Sequence, residues 1–185
     1  METLEKDRMY YETSGGGVTL TGGEVLAHGE YALEIAREIR KRGITVAIET
    51  SGFGKYEELH ALAEESDWIL FDLKHMDPER HKEYVGVLPD LIWENLEKLA
   101  AEETLRKKIV IRVPCVHGVN DGMENFQAIR DYMLRLGLTE INLLPYHNMG
   151  IGKAVQAGLE QEEFETPPDD VLEQARELFK APGLQ

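Results

Sequence analysis

Three observations predict an α/β fold of parallel strands with outer helices. β-rich runs recur at intervals of roughly 25–40 residues. Amphipathic helical patterns fill the intervals. Conspicuous polar residues follow the runs directly, always at the same end, which in a barrel is the active-site face. Units of this kind give an α/β barrel or partial barrel, with a doubly wound sheet as the alternative. The 185 residues suffice for one well-buried domain and are short for two, so 1–185 is read as a single domain.

Residues 1–14 are polar and partly helical in pattern, with Met9, Tyr10 and Tyr11 as their apolar cluster. Gly15-Gly16-Gly17 leads into Val18-Thr19-Leu20, an extended run, and then into the turn Gly22-Gly23-Glu24. Glycines there allow unusual backbone angles and close approach of a ligand to the main chain. Ala32, Leu33, Ile35, Ala36 and Ile39 have helical spacing over 30–42, and Gly43 is a plausible stop. Ile44–Ile48 reads as a buried strand ending in Glu49-Thr50-Ser51-Gly52. A helix over 55–65 follows, then the apolar strand 68–71, running into Asp72-Leu73-Lys74. Asp77-Pro78 has the form of an N-cap with a first-turn proline. A helix is predicted over about 91–102, a strand over 109–113 stopped by Pro114, and a helix over 122–136 ending at Gly137. The last strand, 140–144, is stopped by Pro145-Tyr146-His147. After a Gly/Glu-rich loop over 148–166, Thr166-Pro167-Pro168 is expected to cap a final helix over about 169–180.

With 20 basic and 35 acidic side chains the formal charge is −15, which argues against a nucleic-acid groove or an anionic membrane surface as partner. No apolar run approaches the ~20 residues of a membrane span, and no signal-peptide pattern opens the sequence. The single cysteine, Cys115, cannot form an internal disulfide, so a cytoplasmic location is expected. It reads as a small buried residue. His28, His60, His75 and His81 lack metal-site spacing and are expected to be solvated.

The strand-end residues suggest a ligand chemistry. Asp72 and Lys74, two apart, suit a zwitterion, the lysine meeting a carboxylate and the aspartate an amino group. Glu24 offers a second acceptor for the amino group. Thr50 and His147 suit sugar hydroxyls, and Arg112 a two-point grip on a carboxylate. The set fits a ligand with an amino-acid head and a sugar-like body. A structural ion pair between Asp72 and Lys74 is the competing reading.

Gly22-Gly23-Glu24, Glu49-Thr50-Ser51-Gly52, Asp72-Leu73-Lys74-His75-Met76-Asp77, Arg112-Val113-Pro114 and Leu144-Pro145-Tyr146-His147 occur in this order. From about residue 15 to 180 the sequence resembles the glycyl-radical-enzyme activating enzymes of the radical S-adenosylmethionine superfamily, the pyruvate formate-lyase activating enzyme type. The resemblance implies that Gly22, Gly23 and Glu24 bind the methionyl amino group. It implies that Thr50, Asp72 and Lys74 contact the methionyl head and ribose, and that His147 lies near the ribose and adenosyl group. Val116 and His117 match a segment near the adenine. The cofactors implied are S-adenosylmethionine and a 4Fe-4S cluster. The implied partners are a glycyl radical enzyme and an electron donor such as flavodoxin or ferredoxin.

The sequence departs from that family at one decisive place. The CxxxCxxC motif that holds the cluster, upstream of the Gly-Gly-Glu turn, is absent. No metal ligand or catalytic residue is therefore assigned. The chain is expected to lack the first βα unit, most simply by truncation, and not to cleave S-adenosylmethionine as written. The strand at Val18 would then have an open edge, covered by the N-terminal segment, by another copy or by crystal contacts. Val25 and His117 stand where prolines are common. Partner specificity is expected in loops that include 148–166. Two other functions stay open: a Schiff-base lyase using Lys74, and a non-catalytic remnant binding an adenosyl ligand or a partner.

Overall fold

The computed structural model describes residues 2–146 and 164–180, so His147 and most of the 148–166 loop lie outside the described residues. Five strands form one sheet in the order β1-β2-β3-β4-β5, the α/β class expected. They are β1 (Gly17–Leu20), β2 (Thr45–Thr50), β3 (Trp68–Asp72), β4 (Ile109–Cys115) and β5 (Glu140–Pro145). The chain divides into two compact units, one of residues 1–72 and 90–110, the other of 73–89 and 111–185.

The first unit opens with two short helices, α1 (Glu2–Glu5) and α2 (Arg8–Ser14). β1, β2 and β3 pair in parallel, with Val18 beside Val46, Leu20 beside Ile48, and Thr50 beside Phe71. β1 stands at the end of the strand order. Strand alternation sends Val46, Ile48, Ile69 and Phe71 into the core, where each is fully buried. Helices α3 (Gly29–Arg40), α4 (Tyr56–Glu64) and α6 (Asp90–Ala101) bury their apolar stripes: Ala32, Ala36 and Ile39 on α3; Leu59, Leu62 and Ala63 on α4; Ile92, Leu96 and Leu99 on α6. Two short elements carry no periodic signal in the sequence. One is a single 3-10 turn, Val25–His28; the other is α7 (Glu103–Arg106).

The second unit holds α5 (Pro78–Val85), most of β4, α8 (Met123–Leu136), β5 and α9 (Asp169–Phe179). Ile111, Val113 and Cys115 of β4 are buried, as are Phe126, Ile129 and Met133 of α8 and Leu172, Ala175 and Phe179 of α9. Phe126 meets Phe179 edge-on at 6.4 Å between ring centroids. Gly137 ends α8 in the left-handed region, φ 68°, where a β-carbon would be strained. Asp77 caps α5 as expected, its carboxylate accepting the Arg80 N–H at 3.0 Å.

Three expectations need correction. β4 runs through Pro114 to Cys115. In a parallel strand both backbone groups of a residue face the same neighbour. The Arg112 carbonyl accepts from Leu73 N–H at 2.9 Å, so Pro114 also faces that side, where β3 has already ended at Asp72. Its missing N–H therefore breaks no ladder bond. Thr166 does not cap α9; its hydroxyl donates to the Tyr146 carbonyl at 2.6 Å, and Pro168 occupies the N-cap without a side-chain bond. Asp169 and Asp170 in the first turn favour that helix end electrostatically instead. Finally, His75 and His81 are buried. His81 donates from Nδ1 to the Val87 carbonyl at 2.8 Å, which satisfies the one inward-facing polar group of an otherwise charged helix.

Candidate functional site

In the first unit the structure gathers Gly22, Gly23, Glu24 and Thr50 at the carboxyl ends of β1 and β2. The half-buried Glu24 carboxylate is the node. Its Oε1 accepts from Leu26 N–H at 3.1 Å and from the Thr50 hydroxyl at 2.5 Å. Its Oε2 accepts from Ser51 N–H at 2.9 Å and from the Ser51 hydroxyl at 2.5 Å. Four donors fill the roughly four acceptor positions of a carboxylate. Glu24 thus caps the 3-10 turn and fastens the end of β1 to the end of β2. The Thr50 hydroxyl is committed on both sides, since it also accepts the Gly52 N–H at 2.9 Å.

The Ser51–Gly54 loop that carries these donors is held from behind by Asn95 of α6. Asn95 Nδ2 donates to the carbonyls of Gly52 at 2.7 Å and Gly54 at 2.9 Å. Gly52 has φ +76°, and a β-carbon there would sit 2.3 Å from Phe71 Cζ, so the turn admits no side chain. Gly22 and Gly23 are the reverse case. Neither has a positive φ, and nothing lies within 4 Å of a β-carbon built on either. Their value is an open main chain, not an unusual angle. Asp72 follows Phe71, the register partner of Thr50, so strand parity places Asp72 on the opposite face of the sheet from Thr50.

In the second unit Lys74, Val116 and two asparagines form a backbone-fixing network. Asn120 Nδ2 donates to the carbonyls of Lys74 at 2.8 Å and Pro114 at 2.6 Å, while its Oδ1 accepts from Val116 N–H at 2.8 Å. Asn125 Nδ2 donates to the Asn120 carbonyl at 3.0 Å, and its Oδ1 accepts from Met76 N–H at 2.9 Å. Both asparagines are buried. The segment Asn120-Asp121-Gly122 carries a turn signal, but nothing in a sequence pattern announces that such a residue will tie two loops together. Arg112 is half-buried within β4. His117 is exposed and pairs through Nδ1 with Asp121 Oδ2 at 2.7 Å; that bond raises its pKa above the ordinary histidine value.

The resemblance implies two groups, a sulfonium nucleoside and a 4Fe-4S cluster. The open Gly22-Gly23 main chain, backed by an anchored carboxylate, fits the amino-acid end of a sulfonium nucleoside. A 4Fe-4S cluster does not fit. Such clusters are held by several thiolates, and the sequence has one cysteine. Cys115 is fully buried, its S–H donates to the Val113 carbonyl at 3.2 Å, and burial pushes its pKa from 9.0 up to about 12. Among the described residues no group of three His, Cys, Asp or Glu is placed to hold a metal ion. Because the folded thiol binds its proton more tightly than the unfolded one, its contribution to stability is present below pH 9.0 and is lost as pH rises toward about 12. At about pH 8, iodoacetamide should alkylate Cys115 at least ~100-fold more slowly in the native chain than in urea. Equal rates would show that the thiol is not enclosed.

A family model described as the radical SAM superfamily matches residues 3–150. The chain belongs to the radical SAM superfamily. Proteins of this superfamily use S-adenosylmethionine and a 4Fe-4S cluster. This radical SAM chain is 42% identical over 164 residues to the choline trimethylamine-lyase activating enzyme of Oleidesulfovibrio alaskensis, covering 86% of this chain and 52% of that protein. It is 37% identical over 186 residues to the trans-4-hydroxy-L-proline dehydratase activating enzyme of Clostridioides difficile, covering 98% of this chain and 61% of that protein. It therefore spans between half and two thirds of the length of these relatives. A crystal structure of a domain of pyruvate-formate lyase-activating enzyme from Bacteroides vulgatus superposes with a TM-score of 0.75 at 28% identity, covering 92% of this chain and 96% of that one.

Proposed function

We propose that this chain is the S-adenosylmethionine-handling part of an activating enzyme that installs a glycyl radical on a partner enzyme of the pyruvate formate-lyase type. The observation that carries the reading is the exposed Gly22-Gly23 main chain, with nothing within 4 Å of a β-carbon built on either residue, fixed from one side by Glu24. The activating enzymes of choline trimethylamine-lyase and hydroxyproline dehydratase support the class of partner. No observation favours Schiff-base chemistry at Lys74.

At the methionyl end the proposal is narrower. Glu24 has its acceptor positions filled, so the carbonyl groups of Gly22 and Gly23 accept the methionyl ammonium while Glu24 holds the turn. Glu24 takes part directly only if one of its four donors is exchanged. Asp72, Lys74, Arg112, Val116 and His147 remain proposed ligand contacts on the resemblance. A cytoplasmic location, a flavodoxin or ferredoxin donor and partner selection by the 148–166 segment belong to the same proposal. Cluster ligands are not among this chain's residues, and its own part is to hold and orient the nucleoside.

Calorimetry with S-adenosylhomocysteine and S-adenosylmethionine tests this. Both should bind, and Gly23→Val should weaken binding by at least about tenfold while leaving the urea midpoint unchanged. Absence of binding, or equal binding by the valine variant, would overturn the reading.

A further inference from the structure

A cleft of about 500 Å3 lies in the second unit, between the loop after β3 and the first turns of α8. His75, Arg80, Gly122 and Glu124 are among the residues that line it. His75 is 8% exposed, and its Nδ1 accepts the Asp77 N–H at 2.9 Å. The ring proton therefore sits on Nε2, and this N–H has no partner among the described residues. Burial, then the charge of Arg80, hold the His75 pKa below the ordinary value, so the ring is a neutral donor near pH 7.

Two further donors at the cleft are also unanswered. Arg80 is exposed and forms no ion pair among the described residues. α8 is 14 residues long, and its N-cap is Gly122, which offers no side-chain cap. The N–H groups of Asn125 and Phe126 turn back to the Gly122 carbonyl at 3.0 and 3.2 Å. That of Glu124, which lines the cleft, has no partner among the described residues, and it lies at the positive end of the helix dipole. Two carboxylates are nearby. Asp77 is engaged in capping α5, and Glu124 is exposed.

We propose that this cleft binds a small molecule through a phosphate or carboxylate group, held by His75 Nε2–H, the Arg80 guanidinium and the Glu124 amide in the first turn of α8. With a formal charge of −15 the chain repels anions at long range, so attraction must come from such local donors. The volume is of the size usual for small-molecule sites, about 300–1,000 Å3, and exceeds what a bare oxyanion fills. The ligand therefore carries a body beyond its anionic group. These residues are distinct from the Gly22–Glu24 turn, so a titration without S-adenosylmethionine tests this site alone.

The probes are inorganic phosphate and acetate, added at constant ionic strength to the isotope-labelled full chain. The readouts are the His75 ring and the Glu124 amide resonances. Saturable shifts in both regions are expected. Stronger binding of phosphate identifies a phosphorylated ligand, and stronger binding of acetate a carboxylate. Arg80→Gln, at an exposed position, should weaken binding about tenfold. Glu124→Gln, which removes an opposing charge, should tighten it. Resonances that do not move with either anion, or shifts that persist unaltered in Arg80→Gln, would overturn the proposal.

Discussion

Glu24→Ala should lower the stability of the chain by about 3 kcal/mol and weaken S-adenosylhomocysteine binding by about a hundredfold. The stability loss has two sources. Loss of an N-cap acceptor is worth about 1 kcal/mol. The remaining donors lose a charged acceptor, and hydrogen bonds to charged groups are worth about 1.5–3 kcal/mol each. The loss does not reach the sum of four such bonds because Glu24 is only half-buried, so water can serve Ser51 and Leu26 once the carboxylate is gone. The Thr50 hydroxyl, 2% exposed, is not so easily rescued. Glu24→Gln should be milder. A carboxamide keeps the shape but offers one acceptor oxygen, so one of its two ends must face donors with an NH2 group. Urea unfolding with an unchanged slope, read beside calorimetry, separates the two effects. A Glu24→Ala chain as stable as the parent would mean that the ends of β1 and β2 are not fastened by this side chain.

That dependence explains which parts of the molecule could be read before folding. The strand–helix alternation is legible because burial follows local period: every second residue of β2, every third or fourth of α3. Glu24 stands out because it closes a Gly-Gly turn at a strand end. Its partners do not stand out. Thr50 and Ser51 are 26 and 27 positions away, and only the parallel register of β1 and β2 brings them to the carboxylate. The buried polar residues were hidden for a related reason. His81 lies on a helix whose other residues are exposed or half-exposed, so no apolar stripe marks its inner face. Asn95, Asn120 and Asn125 serve backbone groups of other segments, a function with no periodic signature. A proline usually stops a strand; at Pro114 the neighbour's end decides whether the N–H is missed.

Asn95 provides the second large effect, and a comparison of two substitutions makes it diagnostic. Its Nδ2 serves the carbonyls of Gly52 and Gly54, while its Oδ1 is buried without a hydrogen-bond partner. Asn95→Leu removes two bonds but also removes the orphaned acceptor, whose burial costs free energy as it stands. The net loss should be about 2 kcal/mol. Asn95→Asp keeps the shape but turns a carboxylate oxygen toward two carbonyl oxygens in a site that is 0% exposed. An uncompensated buried charge is worth a loss of about 3–5 kcal/mol, so the aspartate variant should be the less stable at neutral pH. In the leucine variant the freed loop should also open locally. Amide exchange at Ser51–Gly54 should then quicken more than exchange in the core of β2. Nucleoside binding should fall with it, because the loop positions the Ser51 donors of Glu24. If leucine proved more damaging than aspartate, the bonds to Gly52 and Gly54 would not be what Asn95 contributes. If exchange rose evenly across the first unit, Asn95 would be a packing residue and not a support of the Gly22–Glu24 turn.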